Sequence, residues 1–270
     1  IQILVSLLVC VTGVAISETP PSARFDHLGY EDGLSSSSIS SILQDDYGFM
    51  WFGTQLGLNK YDGKTYTIYQ NEPFNANSLS HNLIQTMFLD ADDILWIGTY
   101  GGLNRFDIKK ERFTEYSTQP DVPESLSNNV VVSIARDSVG DLWIGTLDGL
   151  NRMDEETGEF TIYRNDPDDS HSLNDNVVRS INNDTTGRLW IGTYGGLAMY
   201  DRESDSFRRY THDPENSESL SSNYVLDIGP AADGTLWLGL WGGGVSSFDP
   251  DTGVFSNYTL SDERVYKILV

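Results

Sequence analysis

From about residue 25 onward, the apolar and polar positions of the chain follow one pattern that recurs five times. Each copy opens with a short run apolar at every third position. "NVVRSINN" places Val178 and Ile181 where other copies have Ile84 and Met87, or Val131 and Ile134. A polar turn follows: DDYG, DADD, DSVG, DTTG or AADG. Its last place calls for a left-handed backbone, which Gly adopts freely and Asp93 tolerates. Then comes LWIGT or a close variant, apolar at consecutive positions. A segment with no polar face is a strand covered on both sides. A Gly-containing turn leads to a third run of the GLNRFD type. After a second polar turn, a fourth run sets an aromatic three residues before a tyrosine: Phe113 and Tyr116, Phe160 and Tyr163, Phe207 and Tyr210, Phe255 and Tyr258. Tyr66 and Tyr69 complete the set. No stretch keeps a helical period, because Gly and Asn interrupt each one.

The copies align on Trp51, Trp96, Trp143, Trp190 and Trp237, with spacings of 45, 47, 47 and 47 residues. Repeats of this length indicate solenoids, propellers or arrays. Four short antiparallel strands, apolar on both faces, make a propeller blade. The predicted fold is therefore all-β: a β-propeller of four-stranded blades, five complete and a sixth begun. Gly53, Gly98, Gly145, Gly192 and Gly239 each follow their Trp by two residues and share its face, since strand side chains alternate. The Trp is expected to wedge between blades, and the Gly to leave room for a bulky residue of the next blade. All ten are scaffold in this reading. Asn82, Asn129, Asn176 and Asn223 stand fourteen residues before the Trp, with Ser37 in the first copy. They read as turn-formers or caps, with a ligand contact as the alternative.

The ends bear on ring closure. Phe25 and Leu28 match Phe160 and Tyr163, so the first strand is expected to be an outer strand without its own blade. At the other end "LSDERVYKIL" matches "LSSSSISSIL", with Val265 over Ile39 and Ile268 over Ile42. That is the inner strand of a further blade. The chain then reads as a truncated propeller whose N-terminal strand completes a last blade and covers exposed edges.

Composition adds location. "IQILVSLLVCVTGVAIS" is apolar, uncharged and too short for an ordinary membrane span. With the small residues Ala15 and Ser17, residues 1–17 read as a secretory signal peptide, or alternatively a signal anchor, and residues 18–270 as the partial propeller. Cys10 is the only cysteine and lies inside that segment, which excludes disulfides within 18–270 and argues against a thiolate metal site. Forty acidic and 17 basic residues give a formal charge of −23. A nucleic-acid surface needs a basic stripe, and none is present.

"LWIGTYGGLNRFD", preceded by "SLSHNLIQTMFLDADD", resembles the repeat of the two-component regulator propeller family. "FDHLGYEDGLSSSSISSILQDDYGFMWFGTQLGLNKYDG" resembles the start of its first blade. The resemblance implies an extracytoplasmic, periplasmic sensor, often of seven blades, ahead of a β-sandwich domain, a transmembrane helix and a histidine kinase or diguanylate cyclase output. Many such sensors take polysaccharide fragments. The last copy departs from the pattern: in "WLGLWGGGVSSFD", Leu240 replaces Thr and one residue is inserted.

Catalytic and metal chemistry is not legible. No two of His27, His81, His171 and His212 have metal-ligand spacing, and they read as solvated loop residues. "DSVGDLW" is similar to the aspartate box of sialidases, but its Asp-to-Gly spacing is one residue too long. "DADD" is a single weak calcium pattern. No cofactor is expected and no catalytic residue is assigned. A ligand would meet the face where first strands begin and second strands end. That face is expected to carry Gln55, Tyr100, Leu147, Tyr194 and Trp241. Tyr100, Tyr194 and Trp241 are candidates for stacking on a sugar beside amides and carboxylates, with blade-edge capping as the alternative. Gln85, Arg179 and Asp227 break the inner-strand repeat and are expected to point toward the axis or a neighbouring blade.

The favoured function is ligand sensing for a transmembrane receptor, with an oligosaccharide or small molecule, the downstream domains and a homodimer mate as partners. The alternatives are a propeller lyase or glycosidase, and a protein-binding scaffold. Mild, scattered departures from the repeat favour the sensor. Residues 18–270 expressed alone are expected to aggregate or to melt at low temperature, and extension to a full ring to restore stability. Calorimetry and size-exclusion chromatography of the two lengths check this; a monodisperse, cooperatively melting short form contradicts the ring-closure reading.

Overall fold

The computed structural model describes residues 28–261 and 263–270. The expected signal segment and Phe25 lie outside them. Leu28 is exposed and belongs to no strand. Five four-stranded antiparallel sheets follow in chain order, each strand pairing with the next. Blade 1 holds β1 (Ile39–Gln44), β2 (Met50–Thr54), β3 (Gly57–Tyr61) and β4 (Tyr66–Tyr69). Blade 2 holds β5 (Ile84–Leu89), β6 (Ile94–Thr99), β7 (Leu103–Asp107) and β8 (Arg112–Tyr116). Blade 3 holds β9 (Val131–Arg136), β10 (Leu142–Thr146), β11 (Gly149–Met153) and β12 (Phe160–Tyr163). Blade 4 holds β13 (Val178–Asn183), β14 (Leu189–Thr193), β15 (Gly196–Asp201) and β16 (Ser206–Tyr210). Blade 5 holds β17 (Val225–Pro230), β18 (Leu236–Leu240), β19 (Val245–Asp249) and β20 (Val254–Tyr258). The inner strands touch in the series β1, β5, β9, β13, β17, and β17 has no such packing against β1.

The core is a set of interfaces between blades. Trp51, Trp96, Trp143 and Trp190 are buried, each among apolar residues of the following blade. Trp51 meets Phe106 edge-on at 5.8 Å, Trp143 meets Tyr200 at 4.7 Å, and Trp190 meets Phe248 at 5.3 Å. The outer-strand tyrosine lies against the Trp of its own blade, as in Trp51–Tyr69, Trp96–Tyr116 and Trp190–Tyr210. Side chains of this size bury about 150–250 Å² each, so four such wedges supply much of the apolar burial. The glycine two residues on does what its position predicts. A Cβ on Gly98 would lie 2.6 Å from Val131 Cγ1, and one on Gly192 would lie 2.8 Å from Val225 Cγ1.

A buried indole N–H must find an acceptor. Here it is the first residue of the polar turn. Trp51 donates to Asp45 Oδ2 at 2.8 Å, Trp96 to Asp90 at 3.0 Å, Trp143 to Asp137 at 2.9 Å and Trp190 to Asp184 at 3.0 Å. The other carboxylate oxygen of Asp137 accepts from three turn amides, those of Val139, Gly140 and Asp141. The turns reach left-handed geometry as expected, with φ of 101° at Gly140 and 60° at Asp93. Some of the same carboxylates also bind an arginine of the next blade: Arg136 pairs with Asp90, and Arg202 with Asp137.

Blade 5 departs from this scheme in two linked ways. Its turn begins with Ala231, so Trp237 has no carboxylate at the repeated place. The segment 264–270 lies beside its second strand, and Trp237 is half-buried. A wedge is expected at all five places; Trp51 is fully enclosed and Trp237 is the more open. The reason is direction: each of the other four Trp side chains packs against the blade that follows it, whereas Trp237 borders the short segment Lys267–Val270. Val265 nevertheless occupies the position expected of a further inner strand. Its carbonyl oxygen would lie 2.7 Å from a Cβ on Gly239, where Ile84, Val131, Val178 and Val225 oppose the earlier glycines. Its amide donates to the Leu240 carbonyl at 2.9 Å, and Arg264 bridges Trp241. The segment forms no ladder beyond that bridge.

Two measurements probe these interfaces. A Cβ at position 145 would lie 2.2 Å from Ser133 Oγ and 2.6 Å from Val178 Cγ1. Gly145→Ala should therefore cost about 1–3 kcal/mol in urea unfolding, whereas Gly29→Ala, where no atom lies within 4 Å, should change stability by less than about 0.5 kcal/mol. The second is acid sensitivity. Burial alone would raise the Asp184 carboxyl, but hydrogen bonds from Trp190, Thr186 and Arg188 prevail and hold it down at about 2 against an ordinary 3.8. A depressed carboxyl stabilises the fold above its unfolded pKa and loses that contribution as pH falls toward the folded value. Stability should fall between roughly pH 5 and pH 2, and Asp184→Asn should flatten that part of the curve in denaturation series at fixed ionic strength.

Candidate functional site at the mouth of the ring

The face expected to meet a ligand is assembled by a repeated backbone clasp. The residue after each second strand donates its amide to the residue before the corresponding first strand. Gln55 binds Ser38, Tyr100 binds Leu83, Leu147 binds Val130, Tyr194 binds Val177 and Trp241 binds Tyr224, at 3.0–3.3 Å. The turns after the second strands and the loops between blades therefore share one face. Beneath it lies a hydrogen-bonded trio. In blade 2, Ser80 Oγ meets Thr99 Oγ1 at 2.9 Å, Asn104 Nδ2 donates to Ser80 Oγ at 2.8 Å, and Asn104 Oδ1 accepts from the Ser80 amide. Blades 1 and 3 repeat it with Ser35, Thr54 and Asn59, and with Ser127, Thr146 and Asn151. In blade 5 the replacement of Thr by Leu240 removes the middle member. Ser221 Oγ bonds Ser246 Oγ directly at 3.0 Å, and the fold is kept.

The four asparagines before the first strands are structural. Asn82, Asn129, Asn176 and Asn223 accept from the amides of Asn71, Thr118, Asn165 and His212 at 2.6–2.7 Å, pinning each incoming loop. Among the histidines, His81 Nδ1 accepts from the Leu83 amide, which places its proton on Nε2. His171 is exposed beside Asp169, and His27 lies outside the described residues. His212, read from sequence as a solvated loop residue, is tied through Nδ1 to the Leu220 carbonyl at 2.6 Å.

The three candidate aromatics lie on this face but form no single platform. Tyr100 is 46% exposed and Trp241 45% exposed, while Tyr194 is half-buried. Each has its own neighbour: His81 beside Tyr100 at 6.3 Å, Tyr224 edge-on to Tyr194 at 5.3 Å, and Tyr266 edge-on to Trp241 at 5.8 Å. Arg264 also lies over the Trp241 ring. Blade 3 contributes Leu147 and Asp148 between the Tyr100 and Tyr194 positions. The result is an arc of aromatic pairs around the mouth. Tyr224 and Tyr266 were not singled out from sequence. Tyr224 stands where the other copies have Leu83, Val130 and Val177, and an aromatic among aliphatics was its available signal.

Gln85 and Arg179, by contrast, converge with Asp227. All three line a half-open axial cavity of about 590 Å³ bordered by β1, β5, β9, β13, β17 and the segment after them. Asp227 is engaged there. Its Oδ1 accepts from Lys267 Nζ at 2.9 Å and Ser180 Oγ at 3.3 Å, and its Oδ2 from the Ile268 amide at 2.8 Å. It thus docks the following segment. Arg136 also lines the cavity, but Asp90, Glu155 and the Gly140 carbonyl occupy its guanidinium. Arg179 Nε is buried with no partner, as are Ser133 Oγ, which faces Gly145, and Asn183 Oδ1 at the far end of β13. Among the described residues no three His, Cys, Asp or Glu side chains group as metal ligands, and no helix is long and apolar enough to cross a membrane.

Comparison with known proteins accords with this geometry. The chain matches the two component regulator propeller family at residues 33–55, 78–101, 125–148 and 172–195, each match running from an inter-blade loop through the second strand. Over 49 residues, 18% of the chain and 4% of the relative, it is 53% identical to histidine kinase P4 of Formosa agariphila. The extracellular domain of a proposed hybrid two component system of B. thetaiotaomicron, BT3049, is similar over 90% of the chain and 39% of its own length, at 28% identity and a TM-score of 0.55. That of a proposed one component system of the same organism, BT4673, is similar over 86% and 29%, at 23% identity and a TM-score of 0.67. Virginiamycin B lyase of Staphylococcus aureus shares the fold at 15% identity over 83% of the chain and 71% of its own, with a TM-score of 0.59. The chain therefore spans well under half of the kinase and of the two extracellular domains. Repeat, blade architecture and family match agree: the chain belongs to the two component regulator propeller family.

Proposed function

We propose that this chain is part of the extracytoplasmic sensor of a transmembrane signalling receptor, and that it detects a carbohydrate or another nutrient ligand at the mouth of the propeller. The observation that carries this reading is the arc of exposed aromatic pairs around a polar axial cavity. Flat apolar rings beside hydroxyls, amides and carboxylates suit a sugar, which offers both C–H faces and hydroxyl groups. The family match and the likeness to the BT3049 extracellular domain support a sensor. The apolar segment at residues 1–17, read as an export signal, supports a periplasmic location, and the local identity to a histidine kinase supports a kinase output in the parent protein. Ligand binding at the mouth would bias the blades and the segment after them, which Asp227 docks directly. A homodimer mate is a further partner in this reading, and the chain itself catalyses no reaction.

Each ring stacked on a sugar should contribute about 1 kcal/mol, so affinity is modest and specificity rests on neighbouring hydrogen bonds. A glycan-fragment screen against the complete ectodomain should return a ligand whose binding weakens several-fold in Tyr100→Ala, Tyr194→Ala or Trp241→Ala, measured by calorimetry. Normal binding by all three variants would place the site elsewhere. Cleavage of a glycan by the ectodomain would replace the sensor reading with an enzymatic one.

A further inference from the structure

The axial cavity differs from the rest of this acidic chain. Among the described residues that line it, Asp227 is the one acidic side chain, and both its oxygens are taken by Lys267, Ser180 and the Ile268 amide. Arg136 is likewise neutralised by Asp90 and Glu155. Among the described residues, Arg179 is left as the cation without a counter-charge on the cavity wall. Its place is one residue after Val178, at the position held by Ser40, Gln85, Val132 and Leu226 in the other blades, so it lies in the layer nearest the mouth. A buried guanidinium N–H with no acceptor is costly unless something fills the site. Three of the five buried orphan polar atoms among the described residues belong to residues that line this cavity: Arg179 Nε, Ser133 Oγ and Asn183 Oδ1. All three atoms are sealed from solvent, so an anion in the cavity would be met by the rest of the Arg179 side chain, which lines it. A guanidinium matches a carboxylate with two parallel N–H donors. The cavity volume of about 590 Å³ suits a small ligand.

We infer that the axial cavity takes the carboxylate of a small ligand, with Arg179 as its counter-charge and Gln85 as a neighbouring polar contact. This deepens the sensor reading and rests on it: the aromatic arc holds the body of the ligand while its acidic group enters the cavity. An acidic sugar and a free dicarboxylate share the chemistry.

The test is calorimetric titration of the complete parent chain with uronate disaccharides, their methyl esters and succinate. The expected result is that an acid binds at least tenfold more tightly than its neutral ester. Arg179→Gln should weaken the acid at least tenfold and leave the ester and the melting temperature unchanged, and Arg179→Lys should recover part of the loss. Binding of a uronate disaccharide with none of succinate makes the ligand an acidic sugar. Binding of succinate with no disaccharide keeps the anion site and overturns the carbohydrate reading alone. Equal affinity for acid and ester, an unchanged preference in Arg179→Gln, or binding of neither acid overturns the inference.

Discussion

The hydrogen bond between a buried tryptophan N–H and the aspartate six residues before it is the interaction on which the rest of the arc depends. A large indole between two blades supplies apolar burial, but its N–H must be satisfied inside the interface. The aspartate does this with one oxygen and ties the β-turn amides with the other, so a single carboxylate fixes both the wedge and the turn that aims it. An arginine from the next blade then adds a charge to the same group. Where the aspartate is missing, at Ala231, Trp237 is also the least enclosed of the five.

This arrangement separates stability from recognition. Trp and Gly recur in all five blades, Asp and Asn in four and the Ser–Thr–Asn trio in three, because each solves the same packing problem wherever it occurs. What varies lies where those constraints are absent: the residue after the second strand, the residue before the first strand, and the layer of the inner strands facing the axis. Tyr100, Tyr194, Trp241 and Tyr224 occupy the first two places, and Gln85, Arg179 and Tyr266 the third. A propeller can alter these positions without disturbing its interfaces, which is why the fold alone does not name a ligand. The likeness to virginiamycin B lyase at 15% identity is an instance, being one of architecture.

The tail beyond blade 5 links the two. Asp227 breaks the inner-strand repeat, and from sequence it reads as a residue pointing to the axis or a neighbouring blade. It lines the cavity and also anchors Lys267 and Ile268, so a change of occupancy in the cavity acts next to the segment that leaves the blades. Coupling of this kind needs a differential interaction with two states, and the Asp227–Lys267 pair is a local contact able to supply one.

The repeat determined the architecture by itself. Period, four strands per copy, the wedge, the glycine opposite the next blade's aliphatic residue, the shared face of the loops and turns, and the start of a further inner strand at Val265 were all legible. Each follows from alternation, steric room or turn geometry acting within or between neighbouring copies, and five copies in register make such local rules unambiguous. Only the tertiary structure decided what depends on distances between copies. Sequence could nominate Arg179, Gln85 and Asp227 as exceptions but could not place them on one cavity, pair Asp227 with Lys267, or leave Arg179 Nε without an acceptor. Nor could it show that Tyr100, Tyr194 and Trp241 stand apart, each beside a different aromatic or histidine. The reason is physical: a repeat fixes the position of a residue within its blade, whereas a site at the axis is set by how far successive blades rotate and which side chains then face one another.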